Sequence, residues 1–293
     1  MFVVTGATGH VGGAIVEKLL AHGKKVKAIG RNRSKLSRLE KKGAEVAEGS
    51  MDDTVFLAKN FVGAEAVFVM VPPDMQSPDI HAHYDRFGQA IAKAVAESGV
   101  HYVVHLSSIG ADMPKGNGPI AALHRQEQRL NAIAGVNVLH LRPGYFMENL
   151  FGSIPMIKGM GINGSAFKGD LKFPQIATKD IADHAAKRMQ KKDFTGKSVQ
   201  ELLGPRDVSM QEATAVMGKA IGKPELPYVQ FPYEDALKGM VGAGLSKSLA
   251  ENFVEMSRAF NEGTVRIGER NAANSTSTPI EDFAKDFARA YQS

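Results

Sequence analysis

The chain has 293 residues, 43% of them hydrophobic, enough to bury a full core as one large domain or a domain and a half. It has no cysteine, which excludes disulfides, thiolate nucleophiles and cysteine metal sites and fits a reducing compartment. A net charge of +5 spread along the chain gives no nucleic-acid footprint, and without a long apolar run or room for a signal peptide the sequence points to a soluble, cytoplasmic protein with no membrane span.

Phe2 to Val4 is a short apolar strand that breaks into Gly6, Gly9 and Gly12. A helical pattern follows at once, with Val11, Ile15 and Leu19 beside Ala14, Val16 and Leu20 on a broad apolar face and His22-Gly23 as its stop. A strand, a glycine turn and a helix N-terminus form the arrangement that binds the pyrophosphate of a dinucleotide. Gly6 permits the tight turn, Gly9 lets phosphate approach the backbone, and Gly12 lets the helix lie against the sheet. The free N–H groups and the dipole of the helix favour an anion.

Lys25 to Gly30 reads as the second strand and runs into Arg31-Asn32-Arg33-Ser34-Lys35. An NAD site usually places Asp or Glu here for the ribose hydroxyls. This segment has no carboxylate. Arg31 can grip a 2′-phosphate in a fork and stack on adenine, with Lys35 one turn on, so NADPH is expected over NADH. A solvated basic turn opening the next helix has the same composition.

The alternation continues. Ala44 to Gly49 is a short strand, and Ser50-Met51-Asp52-Asp53 supplies capping side chains before a helix over Val55 to Phe61. Asp52 suits either a cap or the adenine edge. Ala66 to Val71 is apolar at every position, as a parallel strand buried on both faces should be, and ends in Pro72-Pro73. A helix over about 80–98 leads to a strand at Tyr102 to Leu106, which ends in Ser107-Ser108-Ile109-Gly110. A helix at about Pro119 to Ala134 leads to a strand at Asn137 to Leu141, followed by Arg142-Pro143-Gly144-Tyr145. The result is a doubly wound parallel α/β (Rossmann) sheet over 1–150. From 151 to 293 the rhythm changes to a smaller, mostly helical substrate-binding cap with a few strands, able to interleave with the first part. Its helix starts are Thr178 before Asp180, Ser209 to Glu212, and Thr278 to Glu281. The crevice between the two parts is the natural substrate site.

Thr5-Gly-Ala-Thr-Gly-His-Val-Gly12, Gly30-Arg-Asn32, Val71-Pro-Pro73, Leu106-Ser-Ser-Ile-Gly110, Leu141-Arg-Pro-Gly-Tyr-Phe-Met-Glu-Asn149 and Thr278-Pro-Ile-Glu-Asp-Phe-Ala284 together resemble the NmrA-like family, an atypical branch of the short-chain dehydrogenases. That family includes quinone, dye and isoflavone-type reductases and non-catalytic redox sensors. The resemblance implies that Gly6, Thr8, Gly9, His10 and Val11 hold the pyrophosphate. It assigns Arg31 and Lys35, with Asn32 between them, to the 2′-phosphate, and Val71, Pro72 and Pro73 to the nicotinamide ribose. Pro143, Gly144, Tyr145 and Phe146 then lie beside the nicotinamide, and Phe146, Met147, Asn149 and Met240 are candidate substrate contacts.

A typical short-chain dehydrogenase pairs Ser with Tyr and Lys four apart on a helix, the lysine lowering the tyrosine pKa. No Tyr-x-x-x-Lys occurs in this sequence, and the corresponding helix carries His124 and Gln128 instead. His124 is therefore the candidate proton donor or ribose ligand, with local packing as its other reading. Ser107 and Ser108 suit contact with cofactor or substrate, or a turn cap. His81-Ala-His83 has no further partner at ligand spacing, so no metal site is expected. Met147, Phe151, Met156, Met160 and Met240 suit an adaptable apolar pocket or ordinary core. Three functions fit: an NADPH-dependent reductase of an electron-poor apolar acceptor such as a quinone, azo compound or dye; an NADP(H)-sensing regulator with a protein partner; and a sugar-nucleotide epimerase or dehydratase, which the missing pair disfavours. Either a monomer or a homodimer suits the first.

Overall fold

Six strands separated by five helices form the first half of the chain in the computed structural model, which describes residues 1–293. They are β1 (Phe2–Val4), α1 (His10–Ala21), β2 (Val26–Gly30), α2 (Arg33–Glu40), β3 (Glu45–Glu48), α3 (Thr54–Phe61), β4 (Ala66–Val69), α4 (Ile80–Ser98), β5 (Tyr102–Leu106), α5 (Ile120–Asn131) and β6 (Asn137–Pro143). The second half holds β7 (Tyr145–Phe146), a 3₁₀ helix (Met147–Ser153), α6 (Ile154–Met160), β8 (Asn163–Ser165), β9 (Phe173–Ile176), α7 (Thr178–Lys191) and β10 (Lys197–Leu202). It continues through β11 (Asp207–Val208), α8 (Met210–Ala220), β12 (Tyr228–Gln230), α9 (Tyr233–Gly242), α10 (Lys247–Asn261) and α11 (Ile280–Gln292).

The main sheet has seven parallel strands in the order β10-β6-β5-β4-β1-β2-β3. Alternate strand residues feed two separate cores. Phe2, Val4, Phe68, Val104, Leu139 and Leu141 pack against α1, α2 and α7; Val3, Val67, Val69, Val103 and Val138 pack against α3, α4 and α5. This two-sided burial explains why β4 is apolar at each position. It ends at Val69 rather than Val71, just ahead of Pro72-Pro73, which have no N–H to donate to a ladder.

The sheet is not finished at residue 150. α7 packs on α1, and β10 pairs with β6 along its whole length as an edge strand. β10 also brings Lys197 to the C-terminal end of α5, where its ammonium donates to the carbonyls of Leu130, Ile133 and Val136 at 3.3, 2.8 and 2.7 Å. These bonds tie the chain leaving α5 to the edge strand, and α5 ends at Asn131, short of the expected Ala134.

A third core holds Met147, Leu150, Phe167, Phe173, Met210, Met217, Phe283 and Phe287. Two carboxylates pin this cap to the sheet. Glu148 accepts from the Thr178 backbone N–H at 3.0 Å and its hydroxyl at 2.5 Å, capping α7 from outside the helix. Asp180 accepts from the Thr278 N–H at 2.9 Å and its hydroxyl at 2.6 Å. Thr278 is thus a tether and not the cap of α11, whose first turn has no side-chain cap. Ser209 does cap α8, accepting from Glu212 N–H at 3.1 Å. No helix is long and apolar enough to cross a membrane.

Candidate active site

The turn after β1 separates glycines that the fold needs from one that it does not. Gly6 has φ +63°, and a Cβ there would meet Met70 Sδ at 2.9 Å. A Cβ on Gly12 would overlap the Gly6 carbonyl. At Gly9 the same atom meets only the Gly6 oxygen, at 3.4 Å. Gly6 and Gly12 close the turn, whereas Gly9 leaves space open above it. Gly9 is also the N-cap of α1, extended in backbone and with no side chain capping the first turn, so the helix presents bare N–H groups. Val11 is buried beneath; Thr8, Gly9 and His10 are exposed.

At the end of β2, Arg31, Asn32, Arg33 and Lys35 are all exposed. Arg33 is paired with Glu40 at 2.7 Å and Arg38 of α2 with Glu17 at 3.3 Å, whereas Arg31 and Lys35 make no ion pair. Asn32 caps α2, its Oδ1 accepting from Lys35 N–H at 2.9 Å and Ser34 Oγ at 2.6 Å. Asp52 pairs with Arg86 Nε at 3.1 Å and accepts from Ser50 Oγ; Asp53, not Asp52, caps α3.

The other end of the crevice lies over β4, β5 and β6. Val71 and Pro72 are buried and Pro73 is exposed. His83 donates from Nε2 to the Pro72 carbonyl at 2.8 Å, and His81 accepts from Arg125 at 3.2 Å, so the two histidines turn to different partners. No group of three His, Asp or Glu side chains comes together. Gly144 is buried where a Cβ would meet the Pro174 carbonyl oxygen at 2.6 Å, which lets Pro143 at the end of β6 pass close to β9.

His124 on α5 is half-buried, with Nδ1 2.8 Å from the Ala111 carbonyl. A carbonyl only accepts, so Nδ1 carries the hydrogen and Nε2 holds a lone pair in the neutral ring. Glu127, three residues on, is buried; Gln128, expected to stand for the lysine, is exposed. Glu127 accepts from Ser107 Oγ at 2.6 Å and from Arg142 Nε and Nη2 at 2.9 and 2.6 Å. Ser107 is therefore a buried, committed donor and not a free catalytic hydroxyl; Ser108 bonds the Ile109 carbonyl at 3.0 Å. Two residues before Ser107, His105 of β5 faces His140 of β6 at 3.0 Å between the Nδ1 atoms. Burial pushes His140 down to about 4 and His105 well below the usual imidazole range.

Phe146 is half-buried against the sheet core, and Asn149 is exposed on the 3₁₀ helix. Phe151 lies 6.4 Å from the His10 ring, over the N-terminus of α1, and stacks on Phe287. Tyr145 packs edge-on to Phe167 and Phe173 at 6.0 and 5.7 Å, and its hydroxyl is pushed up by burial and by Tyr228. Met147 is fully buried in the cap core and cannot touch a substrate; Met160 points to solvent. The expected methionine pocket is therefore not one site. Met240, on α9, is half-buried beside a strap in which Ser246 N–H donates to the Met75 carbonyl at 2.9 Å.

Glu127, Arg142 and Met70 were not singled out by sequence reasoning. Their only local signals are a carboxylate three residues after His124 and an arginine at a strand end.

Residues 1–283 match the model of the NmrA-like family. The chain is 26% identical to (4-alkanoyl-5-oxo-2,5-dihydrofuran-3-yl)methyl phosphate reductase of Streptomyces griseus over 99% of both chains. It is 28% identical to NAD(P)H azoreductase of Xenophilus azovorans, over 87% of this chain and 86% of that one. The crystal structure of NADPH-dependent quinone oxidoreductase from Escherichia coli complexed with NADPH superposes with a TM-score of 0.82, at 22% identity over 98% of this chain and 99% of that chain. The chain belongs to the NmrA-like family and shares the α/β fold of that quinone oxidoreductase structure.

Proposed function

We propose that the protein is an NADPH-dependent reductase of electron-poor, apolar acceptors. One observation carries the cofactor reading: an uncapped helix N-terminus with open space at Gly9 stands beside two cations, Arg31 and Lys35, that no carboxylate neutralises. The α1 N–H groups bind pyrophosphate and Arg31 and Lys35 bind a 2′-phosphate. NADPH supplies a hydride when bound.

The acceptor class follows from what the chain lacks. It has no Tyr–Lys pair, the Ser107 hydroxyl hydrogen is committed to Glu127, and the Nδ1 hydrogen of His124 is committed to the Ala111 carbonyl. A site so poor in acids works by holding reactants together and excluding water, not by proton donation. Butenolides, azo compounds and quinones, the acceptors in the relatives' names, share a conjugated electron-poor bond that takes hydride with little acid assistance.

Loss of NADPH absorbance against a panel of one quinone, one azo dye and one butenolide tests the reading. Consumption with at least one of them, and tighter binding of NADPH than of NADH, is expected. Firm NADPH binding with no consumption across the panel would instead favour a sensor of NADP(H).

A further inference from the structure

The end of β5 is organised by a residue that the chemistry above does not use. Ser107 is 4% exposed and Glu127 2%. The Glu127 carboxylate receives three donors: Ser107 Oγ at 2.6 Å, Arg142 Nε at 2.9 Å and Arg142 Nη2 at 2.6 Å. It has no acceptor beside it among these partners, and it holds the Arg142 guanidinium charged above its ordinary range. A hydroxyl bond to a carboxylate is about twice as strong as one to a neutral acceptor, so the Ser107 proton stays with Glu127. With that hydrogen committed, the serine oxygen keeps only lone pairs for a further partner.

We propose that Glu127 is a positioning residue that fixes Ser107 as a pure hydrogen-bond acceptor for the carboxamide N–H of nicotinamide. The proposal rests on the NADP(H) reading. With β1 between β2 and β4, a pyrophosphate over the turn after β1 and an adenosine end at Arg31 send the nicotinamide end over β4 and β5. Ser107 is the first residue after β5, two strand spacings from β1, which is about 10 Å. The carboxamide is the one N–H donor group on the nicotinamide ring. An acceptor-only hydroxyl matches it and is mismatched to a substrate carbonyl oxygen.

Calorimetric binding of NADP⁺ and of its 3-acetylpyridine analogue, in which methyl replaces the carboxamide NH₂, tests this without turnover. Wild type should prefer NADP⁺ by about 3- to 10-fold, the worth of one neutral hydrogen bond. Ser107→Ala should bind the two alike. In Glu127→Gln the amide oxygen remains with Arg142 and the NH₂ turns to Ser107. The hydroxyl proton is then free for the crevice, and the ratio should fall to about one. A Glu127 that only stabilises the fold would weaken both ligands by one factor and keep the ratio, which overturns the proposal. If Glu127→Gln does not fold, Ser107→Ala decides alone: a retained ratio overturns the proposal. Equal binding of the two ligands by wild type overturns it while leaving the NADPH reading intact, and no binding of NADP⁺ overturns both.

Discussion

The two ends of the crevice are built on opposite principles. The end over β1 and β2 is exposed, basic and unpaired: bare N–H groups of α1, open space at Gly9, and Arg31 and Lys35 without carboxylate partners. The end over β5 and β6 is buried and satisfied internally, with Ser107 on Glu127, Glu127 on Arg142, and His124 on Ala111. Free charge binds a ligand, because nothing in the protein has to be displaced. A committed network does not bind tightly; it fixes which lone pairs and hydrogens face the reacting atoms. Mutations at the first end should therefore change affinity at constant stability, and mutations at the second should change stability first.

The sharpest break of that contrast is Gly9→Val. The site tolerates a Cβ but not a branched side chain under a phosphate, so binding of NADPH and NADH should fall by at least about 100-fold (roughly 3 kcal/mol) while the fold survives with no more than the ~1 kcal/mol cost of a poorer helix cap. Gly12→Val should instead fail to fold, since its Cβ overlaps the Gly6 carbonyl. At the other end, Glu127→Ala leaves the Arg142 guanidinium without its partner and should cost about 3–5 kcal/mol of stability in chemical denaturation.

Acid should attack the same end. His105 and His140 have imidazoles whose folded pKa lies below the unfolded value, so the unfolded chain binds protons first and stability is lost as pH falls from about 6.5 toward 4. The loss approaches about 1.4 kcal/mol per pH unit for each ring, read as a falling Tm between pH 7 and pH 4.5. A flat Tm over that range would contradict the buried neutral pair. The smallest effect belongs to the open end. Arg31→Ala should weaken NADPH by about 1–3 kcal/mol and leave NADH and Tm unchanged, and equal losses for both cofactors would remove Arg31 from the 2′-phosphate.

The open end was the legible one. Its signals are local: three glycines, an apolar run, and a strand end without a carboxylate. The buried end was not, because its pairings join residues far apart in the chain. Nothing near Ser107 announces Glu127 twenty residues on, and the expected four-residue step from His124 lands on exposed Gln128 rather than on Glu127. Asp52 suits a cap or the adenine edge in the sequence, whereas its partner Arg86 comes from α4, out of local reach. Met147 looked like a pocket residue because methionine suits both pocket and core; only the packing of α8 and α11 around the 3₁₀ helix decides for the core. β10 escaped notice because an edge strand with half-exposed residues carries little apolar pattern.

The central claim is that hydride reaches the acceptor without a dedicated proton donor. NADPH consumption by wild type and His124→Ala, each with one quinone and one simple ketone, tests it most directly. The account predicts that both proteins reduce the quinone at rates within about tenfold, since no acid–base group worth 10²–10⁴ is lost, and that neither reduces the ketone. A loss of more than about 100-fold in His124→Ala with NADPH binding intact, or ready reduction of the ketone by wild type, would contradict it.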